Sequence, residues 1–167
     1  ARLIIKLANS AAFPAALAAM KESIGGASNI EVKLGVVSVE EIDSLYRDSD
    51  AVISLHRAEG FGLTLAEAMT RGLPVVATNW SGNVDFLNDR NGRPIHYRLV
   101  PAEDPQGTYH HPSMLWADPD VDAAAKALVQ LRREPQLSRL LGEAGAAYAE
   151  RHWSSHSFTQ CARRHLG

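Results

Sequence analysis

Cysteine is nearly absent from the sequence, since the 167 residues include a single one, Cys161. One thiol excludes an internal disulfide and is typical of a reducing compartment, so we expect a cytoplasmic protein. Long apolar runs are missing as well, because no stretch approaches the roughly 20 residues that a membrane span requires. The N-terminal residues ARLIIKLANS lack the layout of a signal peptide. They predict a buried strand instead, so we expect the chain to be part of a longer protein.

An excess of positive charge is also missing, because the formal net charge is −2 at pH 7. Such a chain has no long-range attraction to nucleic acid or to an anionic membrane, and neither is an expected partner. Any anionic ligand must therefore be held by local geometry. With 46% apolar and 22% charged residues, the composition is that of an ordinary globular protein. The length predicts a single domain over residues 1–167.

Short β-branched runs alternate along the chain with longer segments of helical period. This order is typical of a parallel sheet with helices on both faces, so the predicted fold class is α/β. The last three helices follow one another without a strand, which predicts a helical C-terminal tail. Strands are predicted over residues 2–7, 30–37, 51–55, 74–78 and 95–100, and helices over 12–24, 39–47, 63–71, 82–88, 120–133, 135–151 and 154–165.

Several helix ends carry local signals. Ser38 and Glu41 are spaced as a capping box, and Gly72 supplies a C-terminal glycine before a proline. Pro135 suits the first turn of its helix. Residues 91–119 are the least regular part and contain five prolines, which predicts a long loop around a poor strand. Such a loop is either functional or a surface excursion, and the sequence leaves both open.

The stretch HRAEGFGLTLAEAMTRGLPVVAT places two glycines between a strand and a helix. Its loop is therefore predicted at the carboxyl end of a parallel strand, where open α/β sheets bind ligands. Glycine lets an anion approach the backbone, and the first N–H groups of a helix point at that anion. Gly60, Phe61, Gly62 and Leu63 are accordingly predicted to bind a phosphate or diphosphate through their amides.

This stretch does not match two other phosphate-binding motifs. A dinucleotide-binding fingerprint needs a small residue where Leu65 stands, and an acidic residue where the next strand ends at Asn79. A P-loop needs a Gly-Lys-Ser/Thr sequence that does not follow the glycines. The loop is therefore predicted to serve another class of nucleotide ligand.

Two glutamates accompany the glycines. A carboxylate at Glu59 would repel a phosphate, so it is useful only to hydroxyls beyond the phosphate, such as those of a sugar. Glu67 lies in the helix on the face of Leu63 and Thr70, among apolar neighbours, where a carboxylate is costly unless paired. A vicinal diol such as a ribose is one partner for it. The alternative is an exposed Glu67 bonded to Arg71 one helical turn later.

The sequence EGFGLTLAEAM followed by GLPVVAT resembles the donor-site signature of retaining GT-B glycosyltransferases of family four, in which seven residues separate two glutamates. The resemblance covers residues 2–87 and weakens beyond Asn88. It implies a Rossmann-like domain, the C-terminal half of a GT-B fold. The first strand and helix of that domain, and an N-terminal acceptor domain, are expected outside this chain.

The resemblance also implies a role for individual residues. Glu59 is expected to contact the donor sugar, Arg57 to add a cation at the diphosphate unless it is a surface residue, and His56 to be positional. Glu67 is expected to hold the ribose. Glu59 and Arg57 are thus the implied catalytic positions, and the implied donor-binding residues are Gly60, Phe61, Gly62, Leu63, Glu67, Lys6, Val37 and Ser38.

The reaction implied by the resemblance is transfer of a hexose from a UDP- or GDP-linked donor, with retention at the anomeric carbon. The phrase SLHRAEGFGL resembles members that build bacterial polysaccharides, often with mannose from GDP-mannose. The acceptor is expected to be a glycan or a lipid-linked glycan, bound by the N-terminal domain, which makes the full-length protein a candidate for peripheral association with the inner membrane. No cofactor and no metal are expected, and the chain alone is expected to have little transferase activity.

Rival functions remain at this stage. A GT-B nucleotide-sugar epimerase or a non-catalytic nucleotide-sugar-binding module would carry the same signature. A zinc site is disfavoured, because the spacing of the seven histidines matches no zinc motif: His152 and His156 lack the accompanying pattern, and His110 and His111 have no nearby cysteine. No motif of a hydrolase nucleophile is present.

Overall fold

The computed structural model of the chain describes residues 1–104, 111 and 113–154. These residues belong to two compact units, Ala1–Leu45 and Tyr46–Gly167, which are described in turn. Except for Ser154, the helix predicted over 154–165 lies outside the described residues. No helix in the described ranges combines the length and the apolar composition of a bilayer-spanning segment.

The first unit is built on a strand-helix-strand arrangement. Strand β1 (Leu3–Leu7) leads into helix α1 (Pro14–Ile24), and strand β2 (Ile30–Leu34) returns parallel to β1. Proline occupies the first turn of α1, where the missing N–H is not needed. Gly25 ends the helix with a φ of 58°, in the left-handed region that glycine adopts without strain.

Helix α2 (Val39–Arg47) begins at the predicted capping box. The Ser38 N–H donates to Glu41 Oε2 at 2.8 Å, and the Glu41 N–H donates to Ser38 Oγ at 3.2 Å. Both bonds satisfy donors that the first helical turn leaves without an intrahelical partner. The prediction made for this pair is therefore confirmed, and α2 has the predicted bounds.

The second unit contains a parallel sheet of three strands. Their order is β3 (Val52–Ser54), β4 (Val75–Thr78) and β5 (Arg93–Ile95), with helix α3 (Leu63–Thr70) between the first two. Parallel strands joined by a helix confirm the α/β class predicted from the alternation of periods. The predicted strand and helix positions differ from these bounds by no more than a few residues. The helix predicted over 82–88 is a short 3₁₀ turn at Gly82–Asp85.

Helix α3 ends in a Schellman motif. Gly72 has a φ of 71°, its N–H donates to the Met69 carbonyl at 3.0 Å, and the Leu73 N–H donates to the Ala68 carbonyl at 3.0 Å. These bonds satisfy carbonyls that the helix end would leave unpaired. The predicted role of Gly72 as the C-terminal glycine is confirmed, and Pro74 follows where the helix cannot continue.

The expectation that residues 91–119 form a long loop around a poor strand is wrong for residues 115–119, which form a second strand, while residues 105–110 and 112 lie outside the described part of the chain. Besides β5, the described residues of this stretch contain an antiparallel pair of strands, β6 (Tyr97–Pro101) and β7 (Leu115–Pro119), referred to below as the hairpin. Pro101 and Pro119 are compatible with these strands because each occupies a strand end, and Pro94 lies in an edge strand. The strand predicted over 95–100 is interrupted at His96, whose carbonyl accepts the Asp120 N–H at 2.8 Å and so closes the base of the hairpin.

Two helices follow the hairpin, as the predicted tail requires. Helix α4 (Val121–Arg133) is capped by the Asp120 carboxylate, which accepts the Ala123 N–H at 2.8 Å. Helix α5 (Pro135–Trp153) has proline in its first turn, as predicted. Burial of apolar side chains from α4, α5 and the sheet forms the core, and such burial is the main favourable term in folding. That cluster consists of Val76, Ile95, Ala124, Ala127, Leu131 and Leu141.

Candidate functional site

The glycine loop lies between the end of β3 and the start of α3. Gly62 is the N-cap of α3 with a φ of 90°, a conformation that L side chains rarely adopt. Its carbonyl accepts the N–H groups of Leu65 and Ala66, whereas the N–H groups of residues 61–64 have no acceptor within the described residues. Unpaired amides at the positive end of a helix dipole are the physical basis of an anion site.

The loop is held from the other side by the turn after β4. An added Cβ at Gly82 would overlap the carbonyl oxygen of Gly60 and would lie 2.9 Å from its carbon. The hydroxyl of Ser81 donates to the Glu59 carbonyl. The two segments therefore approach each other at backbone distance, which only glycine allows at position 82. The sequence reasoning missed this clamp, although a Ser-Gly pair directly after a strand is a turn signal.

Ser81 has a strained backbone, with a φ of 75° and a ψ of −154°. This region is almost restricted to glycine, and another residue there costs about 1–3 kcal/mol. We expect Ser81→Gly to be more stable than Ser81→Ala by about 1 kcal/mol, because both lose the hydroxyl and glycine removes the strain at a smaller cost in chain entropy. Urea unfolding of the two variants measures the difference. Equal stability would show that the backbone relaxes without cost.

Glu59 lies directly before the amides, and its side chain is exposed. Its Oε1 accepts the N–H of Gly60 at 3.0 Å, so the carboxylate is folded back onto its own loop. Hydrogen bonding to one amide leaves further acceptor sites on a carboxylate, which has about four lone-pair positions. The geometry places an acceptor for hydroxyl donors beside an amide cradle for an anion.

His56 is part of a polar network at the ends of β3 and β4. Its Nε2 lies 3.0 Å from the Trp80 carbonyl and 3.1 Å from Asn83 Oδ1, and its Nδ1 lies 3.1 Å from Ser54 Oγ. A carbonyl only accepts, so Nε2 donates, and in the neutral imidazole Nδ1 accepts from the Ser54 hydroxyl. Asn83 is fully buried and donates to the Thr78 carbonyl at 2.9 Å. These contacts agree with a positional role for the histidine.

Arg57 turns towards the hairpin. Its guanidinium carbon lies 5.3 Å from the centre of the Trp116 ring, and its Nε donates to the Ala117 carbonyl at 3.3 Å. The Ala117 N–H donates back to the Arg57 carbonyl at 2.9 Å. Strand β7 thus holds the guanidinium of this exposed residue, and its role as a cation at the diphosphate stays a prediction. Sequence reasoning missed Trp116 because its stretch was interpreted as loop.

Glu67 is exposed, and so are Leu63 and Thr70 on the same face of α3. The expectation that its carboxylate lies in apolar surroundings is therefore wrong, because this face of the helix is the one that meets solvent. The buried side chains of α3 occupy other positions, namely Leu65, Ala66, Ala68 and Met69. Because Glu67 is exposed, its carboxylate does not need a partner to offset a cost of burial. Any role of Glu67 in binding therefore depends on how its carboxylate is oriented.

Tyr46 contacts Glu67 from α2. The phenol oxygen lies 3.1 Å from Glu67 Oε2 and 3.1 Å from the Thr64 carbonyl. Burial, followed by the hydrogen bond to Glu67, raises the pKa of Tyr46 from its ordinary value of 10.0 to about 12. The phenol therefore stays protonated and remains a donor at neutral pH. Arg71 lies over the tyrosine ring at 4.6 Å and donates to the Glu67 carbonyl at 3.0 Å.

Three of the predicted donor-binding residues belong to the first unit. Lys6 lies in β1 opposite Lys33 of β2, and Ser38 uses its N–H and hydroxyl in the capping box. Val37 immediately precedes that serine and is partly buried. Their participation in donor binding stays a prediction. The glycines, Glu59 and Glu67 all lie in the second unit, around the first turns of α3.

The described residues contain no group of three or more histidine, cysteine, aspartate or glutamate side chains placed to hold a metal ion. His111 accepts from the Ser113 N–H through Nδ1 at 3.3 Å and lies close to that serine's hydroxyl. His110 and His156 lie outside the described residues. The expectation that no metal takes part stays a prediction.

Fold and sequence comparisons define the class of protein. The arrangement of parallel strands and helices is that of the C-terminal half of a GT-B glycosyltransferase. A glycosyltransferase from Rickettsia africae ESF-5 superposes with a TM-score of 0.73 at 19% identity, over 98% of this chain and 38% of that one. The C-terminal domain of a glycosyl transferase group 1 family protein from Francisella tularensis gives a TM-score of 0.61 at 22% identity, over 86% and 63% of the two chains. These likenesses establish the fold.

The family follows from the sequence. Residues 15–106, which include the whole glycine loop and both glutamates, match the family described as Glycosyl transferases group 1, and the chain belongs to that family. A D-inositol 3-phosphate glycosyltransferase from Paenarthrobacter aurescens (strain TC1) is 35% identical over 115 residues, which are 68% of this chain and 23% of that protein. The chain spans 12% and 23% of the length of two curated relatives that it matches.

Proposed function

We propose that this chain binds the nucleotide-diphosphate-sugar donor of a retaining glycosyltransferase that transfers a hexose to a glycan or lipid-linked acceptor. One observation carries the proposal: the amides at the start of α3, which have no acceptor among the described residues, lie along the chain between two exposed carboxylates, Glu59 and Glu67. An anion cradle flanked by hydroxyl acceptors matches a diphosphate that has a sugar on each side. Family membership and the GT-B fold support the same reading.

Each residue has a distinct proposed role. The amides of Phe61, Gly62 and Leu63 bind the diphosphate, with Gly60 allowing close approach. Glu59 accepts hydroxyls of the transferable sugar, and Glu67 accepts those of the ribose. Two further roles are proposed for four residues: Arg57 and Lys6 as cations near the diphosphate, and Val37 with Ser38 as the surface for the base.

The chemical step proposed is departure of the nucleoside diphosphate with retention at the anomeric carbon, through an oxocarbenium-like transition state. The charge that grows in this state lies on the leaving diphosphate, so preorganised amides and cations stabilise it most. The backbone at Gly62 is fixed by its positive φ and by the start of α3, which supplies such preorganisation. Glu59 is proposed as a positioning group for the sugar, because its carboxylate is already bonded to Gly60. No metal or cofactor is invoked.

The donor sugar, the acceptor and the setting are part of the proposal. Mannose from GDP-mannose is one candidate, in bacterial polysaccharide synthesis in the cytoplasm. Acceptor binding is proposed to need a domain outside this chain, because transfer requires a second substrate and closure around both. We therefore expect little or no transfer by the chain alone. Transfer from a donor to a glycan acceptor by the chain alone would contradict the proposal that acceptor binding needs a further domain.

Titration calorimetry with UDP, GDP and their hexose conjugates tests the proposal. We expect one nucleotide series to bind, and Glu59→Gln to weaken the sugar conjugate about tenfold without weakening the free nucleoside diphosphate, since a hydrogen bond to a charged group contributes about 1.5–3 kcal/mol. Glu134→Gln, at the N-cap of α5, is the matched control and should change neither affinity. Failure of all ligands to bind at millimolar concentration would refute the proposed function.

A further inference from the structure

Tyr46 contacts the Glu67 carboxylate, and the roles proposed for the glycine loop and for the two glutamates give no reason for this contact. Its side chain is 9% exposed, whereas Glu67 lies on the solvent-facing side of α3. The phenol reaches Glu67 Oε2 at 3.1 Å across 21 residues of sequence. The buried Tyr46 phenol thus holds the carboxylate end of the exposed Glu67 side chain.

An exposed glutamate normally samples several rotamers, and fixing it in one of them costs side-chain entropy. A carboxylate that must accept two adjacent hydroxyls performs better when it is already oriented, because the ligand then does not have to order it. Tyrosine suits this purpose, since its rigid ring has few rotamers and its hydroxyl is a neutral donor. The carboxylate keeps its charge and its remaining lone pairs for a ligand.

The tyrosine is itself immobilised from two sides. Its phenol also lies 3.1 Å from the Thr64 carbonyl in the first turn of α3, and the Arg71 guanidinium covers its ring at 4.6 Å. Arg71 and Thr70 both donate to the Glu67 carbonyl, at 3.0 Å and 2.8 Å. Backbone and side chain of Glu67 are therefore fixed by the same small cluster.

We infer that Tyr46 is a positioning residue that holds the Glu67 carboxylate in the orientation that accepts the vicinal hydroxyls of a nucleotide ribose, an inference that rests on the proposed donor site. The tyrosine does not touch the ligand. Its effect is transmitted through Glu67 and is confined to ligands that carry both hydroxyls. A purely structural tyrosine would affect all ligands alike, or only the stability of the fold.

Tyr46→Phe tests the inference, because it removes the phenol oxygen and keeps the ring beneath Arg71. The ligands are GDP and UDP, each compared by calorimetry with its 2′,3′-dideoxy analogue. We expect the variant to bind the ribose form about tenfold more weakly, equivalent to about 1.4 kcal/mol, and the dideoxy form unchanged. Glu67→Gln, which keeps the packing of Tyr46, should reduce the same preference for ribose.

Tyr148→Phe is the matched control. Its phenol also donates to a backbone carbonyl in the same unit, that of Asp85 at 3.3 Å, so the two variants lose comparable groups. It should leave the preference for ribose over dideoxyribose unchanged. Thermal unfolding without ligand shows whether either variant alters the fold, and the Glu67→Gln result stands even if Tyr46→Phe is less stable.

The possible outcomes separate the two proposals. If wild-type protein binds a nucleotide and Tyr46→Phe retains the full preference for ribose, the inference is wrong and the donor site stands. If Tyr46→Phe weakens both ligand forms equally, the tyrosine is structural and the inference is also wrong. If wild-type protein binds neither nucleotide, the proposed function fails and the inference falls with it.

Discussion

Gly82→Ala is expected to weaken binding of the nucleoside diphosphate by about ten- to 100-fold, as loss of one or two hydrogen bonds to a charged ligand would do. The added methyl group would overlap the Gly60 carbonyl oxygen and lie 3.0 Å from the Phe61 Cα, both of them backbone atoms of the cradle. No flexible side chain can move aside to relieve that overlap. The loop must therefore shift, and its amides with it. Calorimetry with UDP or GDP measures the effect.

Gly60→Ala is the control for Gly82→Ala, because it adds the same methyl group to the cradle without displacing the loop. Apart from its chain neighbours, a Cβ at Gly60 meets no atom of the described residues within 4 Å, so this variant should unfold at the wild-type temperature. Gly82→Ala should unfold at a lower temperature because overpacking costs about 1–3 kcal/mol. Wild-type affinity and wild-type stability for Gly82→Ala together would mean that the turn after β4 does not hold the cradle.

Signals that act within one turn of chain were predictable from the sequence. The capping box at Ser38, the Schellman glycine at Gly72 and the proline at the start of α5 each depend on neighbours a few residues away. Their hydrogen bonds form between fixed offsets, so residue type and spacing suffice. The alternation of strand and helix periods gave the α/β class for the same reason.

Contacts between distant segments were not predictable in this way. The Ser81 hydroxyl donates to the Glu59 carbonyl, 22 residues away in sequence. Arg57 contacts Trp116 of β7, a strand whose stretch was predicted as loop because of its prolines. Spacing along the chain carries no information on such pairs, which depend on how the strands are ordered. The exposure of Glu67 shows the same limit, since its apolar neighbours in sequence point to the other side of α3.

The position of α3, whose first turn forms the cradle, depends on a second close approach, at its other end. Gly142 of α5 packs against Gly72, and an added Cβ would overlap the Gly72 carbonyl oxygen and lie 2.9 Å from its carbon. Gly72 is held in its left-handed conformation by the Schellman bonds, so it cannot move without breaking them. We expect Gly142→Ala to lower the free energy of unfolding by about 3 kcal/mol, the upper part of the range for overpacking.

Gly145→Ala provides the control within the same helix. Both substitutions place alanine in the interior of α5 and gain helix propensity of about 1 kcal/mol, but a Cβ at Gly145 meets the flexible Met69 side chain at 3.4 Å and no backbone atom closer than 3.6 Å. Urea unfolding followed by circular dichroism should therefore show Gly145→Ala at or above the wild-type midpoint and Gly142→Ala with a lower midpoint and an unchanged slope. Equal midpoints would mean that α5 shifts freely along α3. A lower midpoint for Gly142→Ala alone would locate the constraint at the two glycine backbones, because helix propensity and burial are common to both variants.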